Sequence, residues 1–451
     1  MIHPIDYRYE IKALEEYLSP TALLQYQLRV EMAYITALSK LGICSRNILD
    51  EYEKAEPAVT FERVSEIESE LKHDVKAMVE ALKEQVSPSA KPFCHLGLTS
   101  ADINVTANAL LIREVSDNLL LPALRDLLRS LIQLARKHAG LVQMGRTHGQ
   151  HAEPTTFGYA IANHIERIGR GLLRIERAQA EFRGKLGGAV GTRAGLDLVG
   201  NSEKLEAEAL AQLGLVRVEA PTQIANQEEL ANFYSQLLMC LGTITDLAND
   251  FRQLQRTEIG EVFESTANRQ VGSSTMPQKR NPVGWENIVS HYKLIIPRLI
   301  TAYLNLISEH QRDLTDSAAN RYLLAEILNT FLYCVRRATG LLEKVEFDEE
   351  RMRKNFTANS GFELAEPAYI ILALSGDDNA HQTVREMVAE ARQKGISFAT
   401  MLQSTESFRS VLETRPIRER HMIENSSDYI GRAREITESV CVHWEDVLRK
   451  D

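Results

Sequence analysis

The densest run of reactive side chains is Val271-Gly272-Ser273-Ser274-Thr275-Met276-Pro277-Gln278-Lys279-Arg280-Asn281-Pro282. Lys279 and Asn281 are spaced to present an ammonium and an amide together. The glycine and hydroxyls around them suit a loop that closes over a carboxylate. Spacing alone leaves a plain linker as the alternative. In Gly145-Arg146-Thr147-His148-Gly149-Gln150-His151-Ala152-Glu153-Pro154 a histidine stands against glycine. An imidazole titrating near neutrality can hand a proton to a leaving group, or it can simply be hydrogen-bonded in a tight turn. His151 follows close by, but no HExxH motif is present and Gln150 is a poor ligand, so no metal is expected. Arg312, Ser317 and Arg321 offer guanidinium groups and a hydroxyl, with Ser317 and Arg321 on one helical face. That set suits a phosphate, and a solvated face of Arg–Asp pairs is the plainer reading. In His95-Leu96-Gly97-Leu98-Thr99-Ser100-Ala101-Asp102, Thr99 or Ser100 either caps the following helix or helps its free N–H groups hold an anion. Capping is the commoner use. The run Gly184-Lys185-Leu186-Gly187-Gly188-Ala189-Val190-Gly191-Thr192 lacks the spacing of either glycine-rich nucleotide loop, and a flexible or closely packed turn is expected there.

Helices must position these groups. Ser19-Pro20 reads as a cap and first helical residue, and the run from Thr21 to Leu41 stops at Gly42. Ile67, Leu71, Val75, Met78 and Leu82 step as one apolar stripe, predicting a helix that halts before Ser87-Pro88. A very long pattern runs from Ser100 to His138 with Pro122 inside it, and further runs cover Thr155 to Lys185, Glu228 to Ile259, Val283 to His310 and Ala318 to Lys344. A helix of about 38 residues would be about 57 Å long, so such rods must pack lengthwise on one another and on partner chains. No alternating β pattern is persuasive. The expected fold is all-α with three domains: an N-terminal helical domain (1–99), a central bundle of long helices for oligomerisation and catalysis (100–347), and a C-terminal helical domain (348–451).

Composition narrows the class. With 62 acidic against 52 basic residues in 451, a net charge of −10 argues against a nucleic-acid surface. No apolar run approaches the roughly 18 residues that span a bilayer, and Met1-Ile2-His3-Pro4-Ile5-Asp6 does not read as a signal peptide. Five cysteines without a CxxC fit a reduced, cytoplasmic protein. Scarce Gly and Pro, 24 and 13, favour long uninterrupted helices.

The run Gly272 to Pro282 resembles the GSSxMPxKxNP signature of the fumarase/aspartase superfamily. Together with His95 to Ser100, Gly145 to His148, Lys185 to Thr192 and Arg312 to Arg321, it resembles the branch that releases fumarate from succinylated purine nucleotides. The resemblance extends from Pro4-Ile5-Asp6-Tyr7-Arg8-Tyr9 to Asp428-Tyr429-Ile430-Gly431-Arg432. It implies an all-α, three-domain subunit in a homotetramer whose active sites are each built from three subunits. It also implies β-elimination of adenylosuccinate to AMP and fumarate, and of the succinyl-carboxamide ribotide to its carboxamide, without a cofactor. By resemblance Ser273 is the base, and loop amides and Lys279 would have to stabilise its alkoxide. Lys279 and Asn281 would bind the carboxylate that gathers charge. His148 would be the general acid, oriented by Glu286. The same resemblance places Arg8 and Tyr9 at the nucleotide phosphate, with Arg312, Ser317 and Arg321 at that end. It places Lys72-His73-Asp74 along the nucleotide, His95, Thr99 and Ser100 at the phosphate or succinyl end, Gln223 in the succinyl pocket, and Asn287 as a further polar contact. Ile224-Ala225-Asn226-Gln227-Glu228-Glu229 departs from the pattern, because many relatives carry a basic residue there. The alternatives are a superfamily lyase acting on argininosuccinate, malate, aspartate or a carboxymuconate, and a catalytically silent structural relative. A substrate without phosphate gives no reason for Arg8, Arg312, Ser317 and Arg321 to converge.

Overall fold

The computed structural model describes residues 3–265, 275–276 and 278–449, so Ser273 lies outside the described residues. Its chain contacts separate into two compact units interleaved in sequence. One unit holds Met1–Leu124, Arg170–Gly242 and Ser290–Arg336, and the other holds Arg125–Gly169, Thr243–Val289 and Arg337–Asp451.

In the first unit the helix Pro20–Lys40 begins where Ser19 Oγ accepts the Ala22 N–H at 3.2 Å. It buries Leu28, Val30, Tyr34, Ile35 and Leu38, packing against the helices Ser100–Val115 and Ser202–Gln212. Gly42, just past its end, adopts a left-handed φ of 75°, the conformation that costs glycine least. The stripe from Ile67 to Leu82 is not one helix. Phe61–Leu71 and Asp74–Glu84 are separate, and Leu71 is exposed. Lys72 takes a left-handed φ of 56° and ends the first helix, while His73 opens the second by accepting the Lys76 N–H at 3.4 Å. Periodicity survived the break because both pieces bury apolar residues, including Val64, Met78 and Leu82.

Proline decides two further breaks. The Ser100–His138 pattern resolves into the helices Ser100–Val115 and Leu121–Lys137 joined by a π-type turn over Ser116–Leu120. Wider hydrogen-bond spacing there accommodates Pro122, which has no amide to donate. The Val283–His310 run likewise divides into Val283–Ile295 and Arg298–Leu304, parted at Pro297. Glu228–Leu254 and Ser317–Leu342 are long and unbroken, as the periodicity requires.

The second unit contains the strands that the sequence pattern did not reveal. β1 (Val142–Thr147) and β2 (Gln150–Thr156) form an antiparallel hairpin, and β3 (Val262–Phe263) pairs with β4 (Glu346–Phe347). Below them Phe251 stacks on Trp285 at 4.7 Å, and Phe157 meets Phe347 edge-on at 4.9 Å. The C-terminal helices close a core of their own around Leu364, Ala368, Phe398, Leu402 and Phe408. Trp444 lies so close to Gly169 that a Cβ there would sit 2.5 Å from its ring. Among the described residues the architecture is all-α apart from these two short sheets.

Candidate active site

In the first unit several residues singled out by the sequence meet. Asp74 accepts its neighbour's N–H from Val75 at 2.8 Å, receives Asn104 Nδ2 at 3.4 Å, and faces Arg321 Nη2 at 3.8 Å. His73 Nε2 lies 3.4 Å from Ser100 Oγ. Arg312 donates from Nη1 to Gln223 Oε1 at 3.3 Å and from Nε to the Asp313 carbonyl at 3.2 Å. Asp74, Gln227, Arg312, Ser317, Asn320 and Arg321 line one cavity of about 480 Å³. Lys72 is exposed beside this group. Arg8 and Tyr9 stand elsewhere: the Arg8 guanidinium packs over the Tyr9 ring at 6.0 Å, and Tyr9 is wedged edge-on against His291 and Tyr333. Neither makes a hydrogen bond or ion pair with the Asp74–Arg321 group among the described residues.

Two buried carboxylates hold the loop before the helix Ser100–Val115. Glu31, fully buried, accepts the His95 N–H at 2.5 Å and faces His95 Nδ1 at 3.0 Å, fixing a residue whose φ is 58°. Asp102, also fully buried, accepts the Thr99 N–H at 2.9 Å, so Thr99 is the helix cap and Ser100 its first residue. Asp102 further accepts Lys185 Nζ at 2.5 Å and the N–H groups of Gly187 and Gly188 at 3.0 and 3.1 Å. Burial pulls the Lys185 ammonium below its ordinary pKa, and Asp102 opposes that pull. The glycine-rich run is thus a packed turn that closes a buried ion pair. At Gly191, with φ 76°, a Cβ would lie 2.1 Å from the Pro221 carbonyl. Glu31, Asp102 and Lys185 were missed as organisers of the site. A lone charge amid the apolar residues of a helix, such as Glu31, was the available signal.

In the second unit His148 and Gly149 form the hairpin turn, with φ of 53° and 72°. Both are left-handed, the geometry of a two-residue type I′ turn. The histidine expected in a loop therefore sits, exposed, at the tip of a hairpin. A bulge between Met144 and Arg146 bends β1, and a Cβ on Gly145 would meet the Glu153 carbonyl at 2.6 Å. On β2, the Glu153 carboxyl is pushed up to about 7 by its hydrogen bond to Glu366, then by burial and the charge of Glu366. Glu366 is held below its ordinary value by the bonds from Glu153 and from Tyr429, whose hydroxyl donates at 2.6 Å.

Lys279 is exposed, its N–H bonded to the Met276 carbonyl at 3.1 Å. The Asn281 carbonyl accepts the Val283 N–H at 2.9 Å as the chain enters the next helix. Glu286 lies exposed in the first turn of Val283–Ile295, where a carboxylate suits the helix dipole, and Asn287 is half-buried beside it. Buried Glu264, which the sequence reading did not single out, accepts the Gly284 N–H at 2.7 Å. Burial raises its pKa, and the amides of Gly284 and Trp285 counter the rise. No hydrogen bond or ion pair joins His148 to Glu286 among the described residues. Nor is any group of three or more His, Cys, Asp or Glu among them arranged to hold a metal ion. No helix among them is long and apolar enough to cross a membrane.

This arrangement of long helices is shared with solved enzymes. A 3-carboxy-cis,cis-muconate lactonizing enzyme from Pseudomonas putida superposes with a TM-score of 0.85 at 27% identity, over 98% of this chain and 99% of its own. A fumarate lyase from Mesorhizobium sp. BNC1 gives 0.84 at 22% identity, over 96% and 98%, a likeness of fold. A family described as lyase matches residues 8–295, so the chain is a lyase of the fumarase type. A second, described as adenylosuccinate lyase C-terminal, matches residues 308–415. Curated adenylosuccinate lyases align along the chain as well. That of Pyrococcus horikoshii is 36% identical over 100% of this chain and 99% of its own, and that of Bacillus subtilis 32% over 87% and 90%. The chain belongs to the adenylosuccinate lyase family.

Proposed function

We propose that this lyase eliminates fumarate from adenylosuccinate, leaving AMP, and from succinyl-aminoimidazole carboxamide ribotide, leaving the carboxamide ribotide. The observation that carries the choice of substrate is the cavity of about 480 Å³ where Arg312, Ser317 and Arg321 come together. Guanidinium groups beside a hydroxyl suit a phosphate monoester, which argininosuccinate, malate and aspartate lack. Ser273 takes the proton from the carbon beside a carboxylate, and Lys279 and Asn281 stabilise the charge gathering on that carboxylate. The carbon–nitrogen bond then breaks, its electron pair leaves on nitrogen, and His148 protonates that nitrogen. No cofactor is required by this proton traffic.

In this reading the protein is a cytoplasmic homotetramer, neighbouring subunits complete each site, and Glu286 orients a histidine across the interface. The exposure of His148, Lys279 and Glu286 fits groups completed by another chain. Arg8, Tyr9, Lys72, His73, Asp74, His95, Thr99, Ser100, Gln223 and Asn287 bind the substrate in this reading. Its three domains divide at residues 99/100 and 347/348. Purified protein incubated separately with adenylosuccinate, argininosuccinate and malate is expected to release fumarate from the first alone. Turnover of another substrate without turnover of adenylosuccinate would sink the proposal.

A further inference from the structure

Glu261 is fully buried in the same unit as His148, and its carboxylate is bonded from three directions. Arg146 Nη2 donates to Oε1 at 2.6 Å, Gln143 Nε2 to Oε2 at 2.6 Å, and Asn355 Nδ2 to Oε1 at 2.8 Å. The Glu261 backbone is tied down as well. Its N–H donates to the Leu254 carbonyl at 3.0 Å, and its own carbonyl accepts the Asp348 N–H at 3.0 Å. Two of the three side-chain donors come from β1. In a regular strand Gln143 and Arg146 would point to opposite faces, because side chains alternate with a period of two. The bulge between Met144 and Arg146 shifts that alternation by one residue and lets both reach the same carboxylate. His148 follows Arg146 immediately beyond Thr147. A two-stranded hairpin is marginal by itself, so the direction of its tip depends on what grips its base.

We infer that Glu261 is a positioning residue that sets the aim of His148 through Gln143 and Arg146. The inference rests on His148 being the proton donor of the proposed reaction. It assigns Glu261 no contact with the substrate. Small displacements of a reacting group are costly: about 1 Å can lower a rate about 100-fold.

The test is steady-state kinetics on the full chain with adenylosuccinate, comparing Glu261→Ala, Glu261→Gln, His148→Ala and the double variant His148→Ala/Glu261→Ala. Glu261→Ala is expected to lower kcat about 100-fold with KM changed less than about threefold. Glu261→Gln keeps one acceptor oxygen in an isosteric side chain and is expected to lose about 10-fold. It decides the matter if the alanine variant does not fold. Because Glu261 acts through His148, the double variant should be no slower than His148→Ala alone, a non-additivity that general loosening of the unit would not produce. Unchanged kcat in both Glu261 variants, a loss that appears in KM instead, or additive losses in the double variant would overturn the inference. Normal turnover by His148→Ala would instead overturn the proton-donor assignment beneath it.

Discussion

In the unit built around the helix Pro20–Lys40, Asp74 already faces Arg321, Ser100 approaches His73, and Arg312 donates to Gln223. In the other unit His148, Lys279 and Glu286 stand exposed at a turn tip, a loop and a helix start. On the proposed roles, the contrast separates substrate binding from the elimination chemistry. Like-charged guanidinium groups lining one cavity repel one another, and each has a partner in its own chain, Gln223 for Arg312 and Asp74 for Arg321. The groups proposed for the elimination would instead be presented toward whatever completes the site. Their own chain supports them from behind, as Glu261 supports Arg146 and Glu264 supports the start of the helix Val283–Ile295.

If that contrast is right, the exposed groups should dominate turnover. His148→Ala and Ser273→Ala are each expected to lower kcat by orders of magnitude with the assembly intact, measured by fumarate release and size-exclusion chromatography. Mixing the two inactive variants under subunit exchange should restore some activity. No recovery after confirmed exchange would break the idea that neighbouring subunits complete a site.

The first unit should instead fail in stability when its buried charges are unpaired. Lys185→Met leaves Asp102 buried with only amide donors, and is expected to cost about 3 kcal/mol in denaturant unfolding. The cost sits at the low end for a broken buried pair because the N–H groups of Thr99, Gly187 and Gly188 remain. A loss of less than about 0.5 kcal/mol would mean the pair is not organising the turn. Arg321→Ala tests the binding side directly. KM for adenylosuccinate is expected to rise about 10-fold with kcat changed less than about threefold, the pattern of lost uniform binding.

The smallest effect concerns the carboxyl pair on the hairpin. Glu153, raised to about 7, holds its proton in the folded protein, so its contribution to stability is complete below the ordinary glutamate range. That contribution fades as pH rises from there through about 7. Glu366, shifted downward, acts in the opposite sense, losing its contribution as pH falls. Between about pH 5 and 7.5 the Glu153 effect should therefore appear as a shallow decline in melting temperature. Glu153→Gln replaces the protonated acid with a permanent donor and should flatten the decline. An equally steep decline in the variant would remove Glu153 as its cause.

Some of this was legible in the residues alone. Ser19-Pro20 and Gly42 bounded a helix correctly because caps and left-handed stops are local requirements. Periodicity found the rods Glu228–Leu254 and Ser317–Leu342. It misread Ile67 to Leu82 as one helix, since two helices folded back on each other keep the same apolar spacing across Lys72. It missed β1 and β2 because neither strand alternates cleanly between apolar and polar residues, and their burial is mixed. A cap at Thr99 or Ser100 was legible locally, whereas the link from Thr99 through Asp102 to Lys185 and the Gly187–Gly188 turn spans distant stretches of chain.

By itself, then, the sequence determined the helical class, the superfamily signature and the types of residue gathered for an anionic substrate, because these depend on near-neighbour spacing and composition. Tertiary structure alone decided which of those residues meet. Arg321 reached Asp74, and Glu261 gripped Arg146, through packing between elements far apart in the chain. Buried charge is tolerated only where every donor and acceptor is answered, and those answers come from long-range contacts that no local pattern encodes.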